Sequence, residues 1–200
     1  MIYYGQYGRP FCRYLQRKEA DGMQLLEKTV ESQTLFQGKI VTLKVDKAQL
    51  PNGAVAGREV VEHPGGVAVL ALFDDGTVPV VRQFRYPFRE VVTELPAGKL
   101  ERGEDPRPAA LRELEEEVGV TCGELTDLGR LYLSPGFSTE VLHMYLARQL
   151  RQGACHPDED EFLEVERVPF SALAEQVLSG AITDAKTVAL VLKVKLLLGL

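Results

Sequence analysis

Residues 98–120, GKLERGEDPRPAALRELEEEVGV, decide how this chain is read. The second half carries helix signals at both ends. Pro106 stands near the start, where a missing amide N–H costs nothing, and Gly119 stands at the close. Wound at about 100° per residue from Glu113, the segment puts Glu117 at roughly 40° and Glu116 at roughly −60°. Three carboxylates therefore share one arc of about 100°. Leu111, Leu114 and Val118 lie about 100–160° round and form an apolar stripe beside that arc. Glu115 points elsewhere and reads as solvated.

Like charges at this spacing repel by a few tenths of a kcal/mol per pair, so the acidic arc needs a reason. One reading is a solvated face, partly offset by Arg112 pairing with Glu116 at i+4. The other is a site for a hard cation, since Mg²⁺ takes oxygen ligands and favours a diphosphate as a further ligand. The flanking residues discriminate. From Gly98 the chain runs five residues to Glu104, seven more, and then Arg112-Glu113-Leu114-x-Glu116-Glu117-x-Gly119-Val120.

Outward from this segment, the pattern is mostly β. Segments 34–49 and 55–63 are β-rich and joined by Pro51-Asn52-Gly53, a strong turn signal. GVAVLALF (66–73) and VPVVRQF (78–84) flank Asp74-Asp75-Gly76 and are read as a hairpin. REVVTEL (89–95) is a short strand followed by a loop containing Pro and Gly. Further strands are expected at 128–133, 140–148 and 161–168, and helices at 170–179 and 184–198. Strands with a few helices and no repeat indicate an α+β or mixed α/β sandwich. Neither a GxGxxG dinucleotide motif nor a Walker A loop is present.

The 200 residues, 45% hydrophobic and 26% charged, suit one ordinary soluble domain with or without a small appendage. Lys and Arg number 23 against 29 Asp and Glu, a formal net charge of -6, which argues against non-specific nucleic-acid binding. The acidity is local. Residues 99–119 carry a net -3 and residues 158–167 a net -5, so the remainder of the chain is +2. Cys12, Cys122 and Cys155 are odd in number and lack CxxC spacing, which points to a reducing, cytoplasmic compartment and no zinc site. The N-terminus has no apolar run of signal-peptide length, and the apolar tail 188–200 is interrupted by Lys193 and Lys195. That tail reads as a packed or dimer-forming helix, with no membrane as partner.

At every specified position, residues 98–120 match the signature of the Nudix hydrolases. The similarity extends through QGKIVTLKVDKAQLPNG, REVVEHPGGVAVLAL, VRQFRYP, ELPAGKLERGE, YLSPGFSTE and HPDEDEFLEV, which look like the ADP-ribose pyrophosphatase branch of that superfamily. The resemblance implies an α/β/α sandwich around a mixed sheet (64–200), preceded by a small antiparallel β domain (23–63) often exchanged in a homodimer. Residues 1–22 have no counterpart in this pattern; Met23 is the natural family start, and the preceding stretch is an added arm or a spurious extension.

The implied reaction is hydrolysis of ADP-ribose to AMP and ribose 5-phosphate, dependent on Mg²⁺ or on Mn²⁺ or another divalent ion. Carried over by position, Glu113 and Glu117 are the principal metal ligands, Glu116 serves a further ion, and the carbonyl of Ala97 is an additional ligand. Arg112 orients a box carboxylate, and Glu104 supports it. Gly98 and Gly119 are read as a tight loop and a helix C-cap. The family's catalytic base comes from a loop after the box, here Asp158-Glu159-Asp160-Glu161, with Glu161 the first choice and Glu159 the reserve. Arg58 and Arg85 stand where relatives contact the substrate phosphates, with surface ion pairing as the competing role. The Ser134-Pro135-Gly136 loop marks the ADP-ribose class, and Glu140 is a further substrate or metal candidate. The histidines His63, His143 and His156 form no spaced ligand set. Two alternatives stay open: a hydrolase of another nucleoside diphosphate sugar such as GDP-mannose, and a non-catalytic module that senses ADP-ribose.

Overall fold

The computed structural model describes residues 25–155 and 162–200. In chain order its elements are β1 (Lys28–Gln37), β2 (Thr42–Gln49), β3 (Val55–Glu62), β4 (Gly66–Ala71), β5 (Thr77–Arg85), β6 (Glu90–Glu94), β7 (Ala97–Lys99), α1 (Pro106–Val118), β8 (Val120–Tyr132), β9 (Val141–Gln152), β10 (Leu163–Pro169), α2 (Phe170–Ser179) and α3 (Ala185–Leu198). They form three sheets, ordered β1-β2-β3, β10-β5-β6 and β7-β4-β9-β8.

The sandwich is organised by β4. All six of its residues are buried, so it reads as an unbroken apolar run. Alternation along the strand still sorts them. Ala68 and Leu70 face a core shared with Phe170, Leu173, Leu190, Val191 and Val194 of α2 and α3. Val67, Val69 and Ala71 face the opposite core, with Ala109, Ala110, Leu114 and Val118 of α1. The strand pairs in parallel with β9 and antiparallel with β7, which makes the sheet mixed and places a helix layer on each side. This is the expected α/β/α architecture. Leu111 departs from the expected stripe: it is exposed, and Ala109 and Ala110 take its place against the sheet.

The N-terminal strands form an antiparallel three-stranded sheet whose edge strand β1 exposes all ten of its residues. The expected single segment 34–49 is two strands, because the chain turns at Gly38, whose N–H donates to the carbonyl of Val41 at 2.9 Å. The Pro51-Asn52-Gly53 turn does close β2 onto β3, with Gly53 at φ 83° and its N–H on the carbonyl of Leu50.

The expected hairpin between β4 and β5 is corrected by the topology. A turn is present, with Gly76 N–H donating to the carbonyl of Phe73, but the two strands enter different sheets. Strand β4 fills its ladders with β7 and β9, while β5 pairs with β6 and β10. A tight turn fixes only chain reversal; which neighbours complete each ladder is a long-range matter.

Helix α1 begins and ends as its sequence directs. The Asp105 side chain accepts the N–H of Arg107, Pro106 occupies the first turn, and Gly119 is left-handed at φ 65°. The apolar tail packs one face of α3, burying Leu190, Val191 and Val194, and leaves Leu196 and Leu197 exposed. Among the described residues no helix is long and apolar enough to cross a membrane.

Candidate functional site

The site is built where α1 lies against β7. Glu113 and Glu117, one helical turn apart, are 8% and 3% exposed, unusual burial for carboxylates. Glu117 Oε2 accepts the backbone N–H of Ala97 at 2.9 Å, which ties the helix to the strand. Gly98, the next residue, makes room for the other acid. A Cβ at this position would lie 1.8 Å from Cδ of Glu113. Gly98 is thus required by close approach of a side chain within a β ladder, where it pairs with Val67, and the expected tight-loop role is corrected.

Arg112 balances the helix face. Its Nη1 lies 3.0 Å from Glu113 Oε1 and 2.8 Å from Glu116 Oε2, and its Nη2 lies 3.3 Å from Glu104 Oε1. Burial alone would disfavour the guanidinium's charge, but the fields of Glu113 and Glu116, then Glu104, hold its pKa above the ordinary arginine value. Glu104 also accepts the N–H of Glu101 at 2.9 Å, bracing the loop that enters α1. Glu116 is half-buried and turned to Arg112, while Glu115 is exposed as expected.

The helix C-terminus is clasped as well. A Cβ on Gly119 would lie 2.8 Å from the backbone of Ala154, so the residue is glycine for close approach in addition to its left-handed φ. Gln152 Nε2 donates to the carbonyls of Val118 and Gly119, and Gly153 N–H donates to that of Gly119. Glu159, Glu161 and His156 lie outside the described residues.

The remaining expected residues fall in two places. Arg85, at the end of β5, forms a fork with Glu94: Nε to Oε1 at 2.6 Å and Nη2 to Oε2 at 2.7 Å. That hydrogen bonding, opposed by burial and aided by Glu94, Asp184 and Glu117, raises the Arg85 pKa above its usual value. Arg58 makes a fork with Glu27 and lines a cleft of about 260 Å³ together with Gly136 and Ser138. The 134–139 loop is fastened there by Val61 N–H to the carbonyl of Phe137 at 2.7 Å. Glu140 lies 3.8 Å from His63 Nδ1, which itself accepts the N–H of Gly65.

Sequence reading missed a buried polar group beside the site. Glu94 is 1% exposed and held by both Arg85 and Lys186. Lys186 Nζ also reaches Asp184 Oδ1 at 2.9 Å. Asp184 Oδ2 accepts Thr187 N–H and its hydroxyl, and Thr187 Oγ1 accepts the N–H of Leu95 at 2.9 Å. The available signal was Lys186 in the first turn of an apolar helix, where a cation is disfavoured by the helix dipole and needs an acidic partner.

Carboxylates of Glu113, Glu116 and Glu117 beside the backbone of Ala97 make an all-oxygen donor inventory, which suits a hard divalent cation. The glycine cradle at residue 98 admits a carboxylate where any side chain would exclude it. Among the described residues, no three His, Cys, Asp or Glu side chains already converge on one point, and Glu116 is paired with Arg112.

Comparisons with known proteins agree with this geometry. The NUDIX domain model matches residues 62–191, and the nucleoside diphosphate sugar hydrolase N-terminal domain model matches residues 27–61. An ADP-ribose pyrophosphatase of Bacillus subtilis (strain 168) is 47% identical over 165 residues, 82% of this chain and 89% of that protein. A methanol dehydrogenase activator of Bacillus methanolicus is 43% identical over 164 residues, 81% and 89% of the two chains. A solved structure titled as an ADP compounds hydrolase superposes with a TM-score of 0.78 over 90% of this chain and 97% of its own, at 21% identity, and so shares the fold. Divalent metals are used generally among Nudix hydrolases. With a family model covering most of its length and the box carboxylates buried against a glycine strand, the chain belongs to the Nudix hydrolase family.

Proposed function

We propose that the chain hydrolyses the pyrophosphate bond of ADP-ribose, with Mg²⁺ as cofactor, to AMP and ribose 5-phosphate. The observation that carries the substrate is the 47% identity to the Bacillus subtilis ADP-ribose pyrophosphatase across 89% of that protein. The buried carboxylate pair Glu113 and Glu117 supports the reaction class.

In this reading Glu113 and Glu117, with the carbonyl of Ala97, hold the principal ion, and Glu116 serves a second. When bound, such ions offset negative charge on the pyrophosphate oxygens and acidify water. Arg112 keeps Glu113 and Glu116 oriented through its ion pairs, with Glu104 holding the guanidinium from behind. The Glu161 carboxylate takes the proton of the attacking water, with Glu159 as the reserve base. Water adds across one P–O bond of the bridge, and the phosphate that departs leaves with the bridging oxygen. Arg85 offers its remaining N–H donors to a phosphate, as a guanidinium fork suits. Arg58, Gly136 and Glu140 contact the rest of the substrate, and the exposed N-terminal sheet pairs two copies of the chain.

A substrate panel tests the reading. Purified full chain with Mg²⁺ is given ADP-ribose, GDP-mannose and other nucleoside diphosphate sugars, and kcat/KM is compared. ADP-ribose is expected to lead, with AMP and ribose 5-phosphate as products. A higher value for GDP-mannose overturns the substrate, and hydrolysis of none overturns the hydrolase reading and revives that of a sensing module.

A further inference from the structure

The Glu94 cluster does more than bury an ion pair. Arg85 spends Nε and Nη2 on the two oxygens of Glu94, and among the described residues its Nη1 donates to none. Its side chain is 40% exposed, whereas Glu94 and Lys186 are 1% and 10% exposed at theirs. The network therefore has a sealed end, at α3, and an open end, at Arg85.

Lys186 joins Glu94 at Oε2, the oxygen that also receives Arg85 Nη2. A fork between one arginine and one carboxylate would cancel Arg85's charge. The second cation takes up part of the Glu94 charge from behind, so Arg85 keeps more of its own toward solvent. The same helical turn holds the neighbouring backbone. Asp184 fixes Lys186 and Thr187, and Thr187 Oγ1 accepts the N–H of Leu95, two residues before Ala97, the donor to Glu117. Arg85 also feels the charge of Glu117 itself. One turn of α3 thus holds both Glu94, the acid that Arg85 grips, and Leu95, in the link that leads to Ala97.

We infer that Lys186 is a positioning residue for substrate binding: through Glu94 it holds Arg85 aimed beside the α1 carboxylates, where Arg85 receives a phosphate of a nucleoside diphosphate. This rests on the pyrophosphatase reading above. Lys186 touches no substrate and acts only through Arg85. Fold support alone would not require it, since a buried ion pair is often matched or exceeded by apolar packing of similar volume.

A double-mutant cycle tests the inference. Wild type, Lys186→Met, Arg85→Ala and the double variant are assayed for kcat and KM with ADP-ribose and Mg²⁺, alongside thermal unfolding. Lys186→Met is expected to lower kcat/KM by about tenfold, mainly through KM, but by less than about twofold when Arg85 is already Ala, since residues in one network couple. Lys186→Arg, which keeps a cation behind Glu94, is expected to stay within about threefold of wild type. Equal losses from Lys186→Met in both backgrounds overturn the inference, as does a fall in unfolding midpoint with unchanged KM. Should Lys186→Met lose its unfolding transition, Lys186→Gln, which keeps a donor toward Glu94, takes its place in the cycle. Wild type is measured first. No turnover of ADP-ribose overturns the functional reading and the inference with it, whereas turnover with additive losses overturns the inference alone.

Discussion

The carboxyl group of Glu113 occupies the space that a side chain on Gly98 would need, its Cδ 1.8 Å from where that Cβ would stand. The helix and the strand are therefore fitted to each other through one missing methyl group. Gly98→Ala is expected to push Glu113 off the strand and lower kcat/KM by about a hundredfold, the cost of roughly 1 Å misplacement of a reacting group. Steady-state kinetics with Mg²⁺ checks it; retention of more than a tenth of wild-type kcat/KM would show that the cradle is dispensable.

Two helix-ending glycines separate backbone strain from crowding. Gly180 is left-handed at φ 79° with nothing within 4 Å of a built Cβ, whereas Gly119 is left-handed and also packed against residues 153–155. Gly180→Ala is expected to cost about 1 kcal/mol, the left-handed penalty alone. Gly119→Ala is expected to cost at least twice as much, on the order of 2–4 kcal/mol, because backbone must also move. Urea unfolding of the two variants compares them directly, and equal losses would refute the crowding.

Glu94 sets an acid limit on stability. Burial pushes its pKa up, but the hydrogen bonds from Arg85 and the charge of Lys186 outweigh this and hold it below the ordinary 4.5. A depressed folded pKa contributes stability that is present above pH 4.5 and lost as pH falls through the folded value. Glu94→Gln is expected to destabilise by on the order of 3 kcal/mol at pH 7, leaving two cations uncompensated. The gap from wild type should narrow steadily below pH 4.5, where wild-type Glu94 also becomes neutral. A gap that stays constant down to acid unfolding would contradict this.

Removal of divalent ions is expected to abolish hydrolysis and leave folding intact, since Arg112 offsets part of the charge of Glu113 and Glu116 from within the protein. Glu113→Gln and Glu117→Gln should each raise the Mg²⁺ concentration for half-maximal rate by tenfold or more, as an order of magnitude for loss of a ligating carboxylate. Activity that survives chelation sinks the metal assignment.

The loop acid is checked by kcat. Glu161→Gln is expected to lower kcat by about 10²–10⁴, the usual contribution of a positioned base, and Glu159→Gln to change it by less than about threefold. A reversed ranking would move the role to Glu159, and two small effects would remove the base from both.

What could be read along the chain was local. Pro106 and Gly119 bound α1 within a residue, and the helical period alone put Glu113, Glu116 and Glu117 on one arc with Glu115 outside it. The Pro51-Asn52-Gly53 turn and the helices at 170–179 and 184–198 were equally legible, because caps and turns are settled by neighbours a few residues away. Strand partners were not. Nothing near Asp74-Asp75-Gly76 says that β4 will leave β5 for β9, some seventy positions onward. The cluster of Glu94 with Arg85, Asp184, Lys186 and Thr187 was hidden for the same reason, since Glu94 and Lys186 lie 92 residues apart.

The sequence by itself determined the family, the carboxylate helix and its two ends, because these rest on spacing and short-range hydrogen bonding. Only the tertiary structure decided why Gly98 has no side chain, and which acid Arg85 serves. It also revealed that a lysine on the last helix stands behind that acid. Those facts follow from burial and close approach between distant segments, where excluded volume and the cost of an unpaired charge leave one arrangement standing.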